Sequence, residues 1–209
     1  MPNISPNRRM EDKRIFLLDA YALIFRGYYA FINRPMTNSK GVNTSAVFGC
    51  TKTLMDVLKR EKPTHIAVAF DEGLTFRHDM FPAYKANRPD TPEGIRSEVP
   101  VIKEILQAMK IPVLTAAGYE ADDVIGSMAK KAEQDGYEVF MMTPDKDFGQ
   151  LVSEHIRMYK PARSGGEVEV WGPEEVCANY GLQRPEQVID MLALWGDASD
   201  NIPGAPGVG

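Results

Sequence analysis

The sequence predicts an α/β domain on a mainly parallel sheet, followed by the start of a smaller helical part. Short apolar runs rich in Ile, Val, Leu and Phe alternate with longer stretches of helical periodicity. Pro and Gly punctuate the ends of the helical stretches. The chain has 209 residues, 44% of them hydrophobic, which suits one domain with a real core or one domain with an appendage.

The first run, residues 15–18 in "RIFLLDAYALIF", reads as a buried strand ending at Asp19. "NTSAVFGCTKTLMDVLKREKP" sets Val47, Leu54, Val57 and Leu58 on one side of a helix, with Pro63 beyond its end. "THIAVAFD" is a second buried strand, ending in Asp71. A helix is expected from about residue 101 to 110, with Pro100 near its first turn. "IPVLTA" is a short strand, and "EADDVIGSMAKKAEQDG" a helix that opens on acids and closes at Gly136. "YEVFMMTPDKD" is a strand running out into Asp145 and Asp147. Beyond about residue 160 the character changes. "GGEVEVW" reads as a hairpin edge, "PEEVCANYG" and "PEQVIDMLALWG" as short helices, and "DASDNIPGAPGVG" as turns. Residues 1–12 read as a disordered leader, or as lying upstream of a start at Met10.

Several function classes are disfavoured. Cys50 and Cys177 are far apart, so neither a disulfide framework nor a structural zinc site is suggested. His65, His78 and His155 are scattered and read as structural or solvated. No apolar run approaches the ~20 residues that span a membrane. The net charge of −5 gives no hint of a phosphate binder.

The acids are the first strong signal. In open parallel sheets, ligands sit beyond the carboxyl ends of the strands. Asp19, Asp71, Asp145 and Asp147 all follow apolar runs, and Glu120, Asp122 and Asp123 open a helix after another strand. Asp197 and Asp200 add two more near the C-terminus. Any one of them reads as a helix cap or strand end. Caps have no reason to converge, and this set does if the sheet is right. Oxygen ligands without His or Cys select hard cations such as Mg²⁺ or Mn²⁺. Two such ions can clamp the oxygens of a phosphoryl displacement.

The bases complete the pattern. Setting the nine acids aside leaves the remaining formal charge positive. In "TFRHDMFPAYKANRPDTPEGIR", Arg77, Lys85, Arg88 and Arg96 alternate with Phe76, Phe81 and Tyr84. Cations bind phosphates and exposed aromatics stack on bases, although a solvated loop with a few core rings reads equally well. "ALIFRGYYAF" sets Arg26 beside Phe25, Tyr28 and Tyr29. The closing glycines, Gly204, Gly207 and Gly209, suit a hairpin that presents backbone N–H groups to phosphate.

Together "FLLDAYALIFRGYYA", "VAFDEGLTFRHDMFPAYKANR", "GYEADDVIGSMA", "TPDKDFGQLV" and "GDASDNIPGAPGVG" resemble the 5′-nuclease domain of bacterial DNA polymerases I, within the flap-endonuclease family. The resemblance runs from about residue 13 to the end. It implies a PIN-like α/β nuclease at residues 13–172 and an incomplete helix-hairpin-helix part at 173–209. It implies a 5′→3′ exonuclease and flap endonuclease that removes RNA primers and displaced 5′ flaps at nicks. Two Mg²⁺ ions, for which Mn²⁺ can substitute, would be held by Asp19, Asp71, Glu120, Asp122, Asp123, Asp145, Asp147, Asp197 and Asp200. Lys85 and Arg88 match the basic pair that reaches the scissile phosphate, and with Asp122 they are the catalytic candidates. Arg77 matches a further clamp base. Phe25 falls where many relatives carry a tyrosine near the substrate's 5′ end; it keeps a stacking face and lacks the hydroxyl. Arg26, Tyr84, Gly204, Gly207 and Gly209 complete the expected DNA contacts.

The implied partners are DNA with flaps or nicks, RNA–DNA primer junctions, and a polymerase domain of the same parent protein. The implied compartment is a bacterial cytoplasm at the nucleoid. Family members continue past "GVG" into further helices, so a fragment with a weakened grip on duplex DNA and exposed apolar surface is expected. A binding module without cleavage and a PIN-type ribonuclease are the rival readings. An aspartate phosphatase is disfavoured, because "DAYA" has no second acid two residues on.

Overall fold

The computed structural model describes residues 13–161 and 167–208. The expected leader and Gly209 lie outside the described residues. Strand β1 (Arg14–Asp19) is the run "RIFLLD", apolar throughout its middle because both of its faces are covered. Side chains alternate across it. Phe16 and Leu18 enter one core with Val68, Phe70 and Met142, while Ile15 and Leu17 enter the other with Val139, Met141 and Met158.

Helix α1 (Ala20–Ala30) starts without a loop, because the Asp19 carboxylate Oδ1 accepts the N–H of Ala22 at 3.1 Å and caps it. The sequence reading ended the strand at Asp19 and named no helix after it. α2 (Ser45–Glu61) returns along α1, and β2 (His65–Ala69) lies parallel to β1 with Leu17 opposite Ala67. A short helix α3 (Phe76–Met80) precedes α4 (Glu93–Ala108). α4 begins two turns earlier than expected and holds Pro100 in its middle. Pro100 is exposed, and the opposite stripe of Ile95, Ile102 and Leu106 is fully buried, so packing outweighs the lost backbone bond.

β3 (Val113–Leu114) pairs with β2, α5 (Ala121–Gln134) crosses back, and β4 (Glu138–Met142) pairs with the other side of β1. A 3-10 helix (Lys146–Leu151) leads to β5 (Ile156–Lys160), a strand absent from the sequence reading, and to the antiparallel edge β6 (Glu169–Trp171). The sheet order is β3-β2-β1-β4-β5-β6. The chain therefore winds outward from β1 to one edge and returns to the other side, opening a crevice at the carboxyl ends of β1 and β4.

α6 (Pro173–Tyr180) and α7 (Val188–Trp195) pack Val176, Val188 and Met191 into the same core as α5. α7 also carries Ile189, Leu194 and Trp195 about half exposed (53%, 51% and 46%). A two-stranded pair, β7 (Gly196–Asp197) and β8 (Ile202–Pro203), closes the fold.

α1 and α2 meet at Gly27 and Gly49. A Cβ on Gly49 would stand 2.4 Å from the Gly27 Cα, so the helices touch backbone to backbone. Gly49→Ala therefore forces them apart and tilts the helix capped by Asp19. We expect a loss of about 1–3 kcal/mol in urea unfolding. An unchanged midpoint would show that the crossing relaxes freely.

Candidate active site

All nine acids singled out in the sequence line one cavity of about 1040 Å³. Each arrives by a local device. Asp19 ends β1 and caps α1. Asp71 lies just past β2, and its Oδ1 accepts the N–H of Ala121 at 2.7 Å, tying that loop to the start of α5. Glu120 caps α5, and its own N–H donates to Asp123 Oδ2 at 2.9 Å. Asp122 lies in the first helical turn. Asp145 Oδ1 accepts the N–H of Asp147 at 2.9 Å, which bends the chain after β4. Asp197 ends β7, where its Oδ1 accepts from Ser199 N (2.8 Å) and Oγ (2.6 Å).

Four basic side chains sit directly on these acids. Arg77 makes a forked pair with Asp123, at 2.7 and 2.8 Å. Lys85 Nζ is 2.7 Å from Glu120 Oε1. Arg88 pairs with Asp200. Lys146, which the sequence analysis did not single out, places Nζ 2.7 Å from Asp197 Oδ2 and 3.4 Å from Asp147 Oδ1. Its position between Asp145 and Asp147 was the available signal. Among the described residues, no three carboxylates stand as a ready-made cation site. Mutual repulsion and the pull of these bases spread them around the cavity wall.

Burial of the acids shows the strain. Burial pushes Asp19 up to about 6, with the charges of Asp71 and Asp145 adding to it against the bond from Ala22. Burial pushes Asp122 up to about 8, helped by Asp19, Asp145, Asp71 and Glu120. Asp147 is raised too, by burial and by Asp145. At Asp123 and Asp197 a closely bonded base reverses the sign. The Arg77 bonds hold Asp123 below the usual carboxylate range. Burial opposes the same effect at Asp197, but Lys146 and Ser199 outweigh it and hold the group at about 2.

The segment carrying Lys85 and Arg88 is interlocked with the turn carrying Asp200. Asn87 Nδ2 donates to Ala198 O (2.7 Å), Asn201 Nδ2 to Ala83 O (2.7 Å), Arg88 Nε to Ser199 O (3.0 Å), and Lys85 N to Asp200 O (3.0 Å). Lys85 and Asn201 both adopt left-handed backbone, φ 55° and 60°. That costs roughly 1–2 kcal/mol for a residue such as lysine, so the interlock holds a strained turn.

Two expectations, for Arg26 and Tyr84, need correction. Arg26 faces away from the acids; its guanidinium donates to Pro161 O at 2.9 Å and lines a separate cavity. It follows Phe25 by one residue on a helix, a turn of about 100°, and Phe25 is the side chain that lines the acid cavity. Tyr84 offers no stacking face: it is 5% exposed, and its hydroxyl lies 3.1 Å from Glu120 Oε2 and 3.0 Å from Asp200 Oδ2. The open rings at the mouth are Phe76 and Phe81. Gly204 serves close packing, since a Cβ there would meet the Trp195 carbonyl at 2.2 Å. Gly207 takes a left-handed turn, φ 80°.

Residues 14–181 match the family model described as 5′-3′ exonuclease, N-terminal resolvase-like domain. The chain belongs to the 5′-3′ exonuclease family. It is 46% identical over 200 residues to DNA polymerase I of Bacillus subtilis, an alignment covering 95% of this chain and 22% of that protein. The chain thus spans about a fifth of that relative's length. It is 39% identical to the 5′-3′ exonuclease of Aquifex aeolicus, over 94% of this chain and 66% of the relative. In structure it is similar to the bacteriophage T5 flap endonuclease solved with DNA and metal ions: TM-score 0.71, 21% identity, 94% of this chain and 71% of that one. That likeness shows the shared, mostly parallel fold.

The raised pKa of Asp122 has a thermodynamic consequence. Between its unfolded value of 3.8 and about 8, the folded chain holds a proton that the unfolded chain has lost. Stability of the metal-free protein therefore falls as pH rises through that window, and the full penalty stands above it. Asp122→Asn removes the penalty. We expect it to raise metal-free stability by about 1–2 kcal/mol at pH 8 and by little at pH 4. Equal effects at both pH values, in thermal unfolding with chelator, would contradict the assignment.

Proposed function

We propose that this chain is the nuclease part of a DNA polymerase I-like protein: a metal-dependent phosphodiesterase acting as 5′→3′ exonuclease and 5′-flap endonuclease. Its substrates are nicks, displaced 5′ flaps and RNA–DNA primer junctions. The observation that carries the reading is the gathering of nine carboxylates from five chain segments into one cavity whose mouth is basic and aromatic. Family membership supports the same chemistry.

The residues fit divalent cations. All the ligand atoms are oxygens, the donor set for Mg²⁺ or Mn²⁺. Asp19 and Asp122 meet no base within ion-pair distance among the described residues. Asp147 Oδ1 is shielded from solvent, and the Lys146 ammonium 3.4 Å away is its ion-pair partner among the described residues. Asp19, Asp71, Asp122, Asp145 and Asp147, with Glu120, Asp197 and Asp200 once their bases move, would hold two Mg²⁺ ions. Asp123 is the poorest ligand, because both of its oxygens are bound by Arg77. When bound, the ions lower the pKa of a water for attack and neutralise charge on the phosphate.

The chain's own side chains position the substrate. Lys85 and Arg88 exchange carboxylates for phosphate oxygens and draw the scissile group toward the acids. Phe25, Phe76 and Phe81 offer apolar faces to an unstacked base at the mouth. Backbone contacts of this kind select the shape of a junction rather than its sequence. Among the described residues no helix is long and apolar enough to cross a membrane, and the reading places the protein in the cytoplasm beside the nucleoid.

A labelled 5′-flap duplex in Mg²⁺ should be cut near the junction by the native chain and left intact by Asp122→Ala. Lys85→Ala should slow turnover by about 10²-fold and weaken binding less. Cleavage by Asp122→Ala at the native rate would refute the site. A folded native chain that binds the flap and never cuts it would make this a recognition module, and preference for plain single-stranded RNA would favour the ribonuclease reading.

A further inference from the structure

The four bases on the acids differ in how they are mounted. Arg77, Lys85 and Arg88 belong to the long connection from β2 to α4, which lines the mouth. Lys146 grows from the acid-bearing loop itself, between Asp145 and Asp147. That loop is firmly built. Asp145 accepts the N–H of Asp147, Gln150 Nε2 donates to Asp147 O at 2.9 Å, and Phe148 is buried at 2% exposure. The backbone of Lys146 cannot withdraw when substrate parts the mouth segment; only its side chain can. That side chain is about one-third exposed (36%), so it has a way out to water.

Its ammonium lies 2.7 Å from Asp197 and 3.4 Å from Asp147. Asp197 is turned toward it by the bonds from Ser199 N and Oγ. Among the described residues, Asp19 and Asp122, which line the same cavity, meet no base within ion-pair distance. The cavity is therefore charge-compensated at Asp147 and Asp197 and uncompensated at Asp19 and Asp122. A divalent cation binding at Asp147 and Asp197 must displace an ammonium held by two carboxylates. One binding at Asp19 and Asp122 displaces only water and protons.

We propose that Lys146 is a built-in counter-cation that competes with divalent metal at Asp147 and Asp197, so that the cavity takes one ion readily and a second only when the lysine swings out. The inference rests on the metal-dependent reading. Lys146 thereby sets the cation concentration at which the cavity fills. It is a residue that tunes ion loading rather than one that touches the reacting phosphate.

Mn²⁺ binding to the full chain, counted by the paramagnetic resonance signal of the free ion, tests this without any turnover. The native chain should show one strong class of site and a second at least about tenfold weaker. Lys146→Met should strengthen the second class by about tenfold and leave the first unchanged. Lys146→Gln, whose amide can still donate to Asp197, guards against a folding defect and should act in the same direction. Two native-like classes in both folded variants would overturn the proposal. Loss of the second class in both would also overturn it, by making Lys146 a support for Asp197 instead of a competitor. No Mn²⁺ binding to the native chain would instead defeat the metal reading on which it rests.

Discussion

Like charges in a shared cavity oppose one another's ionisation, and the effect grows as water is excluded. Nine carboxylates share about 1040 Å³ at the carboxyl ends of this sheet. The sheet can impose that crowding because its interior is deeply apolar on both faces, with Phe16, Leu17, Leu18, Met141 and Met142 essentially inaccessible to water. The hydrophobic cores hold β1 and β4 side by side and so keep Asp19, at the end of β1, near Asp145, just past the end of β4. The rim answers the repulsion in two ways. Some acids keep their proton to higher pH, Asp19 to about 6 and Asp122 to about 8, and others take a basic partner from within the chain.

The same groups thereby carry two meanings. Without cations, Arg77, Lys85 and Arg88 are internal counter-charges that make the folded chain tolerable. On the proposed function, they are the groups that seize the phosphodiester once metal has taken over the acids. A cavity of this kind exchanges one set of ion pairs for another on loading, and the net charge inside it changes little. Such an exchange avoids the large penalty of burying an uncompensated charge at any stage.

Much of this was legible in the sequence. Apolar runs ending in acids located β1, β2 and β4, and the rule that parallel sheets bind at their carboxyl ends brought the acids together before any coordinates. The misses share a cause: tertiary contacts that local pattern does not encode. Pro100 marks a helix start by propensity, yet Ile95 and Ile102 bury on both sides of it and carry the helix through. Tyr84 sits in a basic, proline-broken stretch that reads as exposed, but the Asp197–Asn201 turn folds over it from the far end of the chain. Arg26 and Phe25 are neighbours in sequence and lie on different sides of α1. Lys146 was hidden in plain view, because a lysine between two aspartates looks like surface charge until Asp197 arrives beside it.

The interlock between residues 83–88 and 198–201 also bears on how the protein responds to heat. The Asp197–Asn201 turn is anchored by a two-residue pair of strands and by hydrogen bonds to a segment that contributes one deeply buried ring, Tyr84. Both sides of that contact are poor in core packing, so its opening free energy lies well below that of the sheet. Warming would release Asp197 and Asp200 together while β1 and β4 remain paired. The molecule would then keep its sheet and yet lack two of the nine acids at the cavity, so that the rim comes apart before the core does.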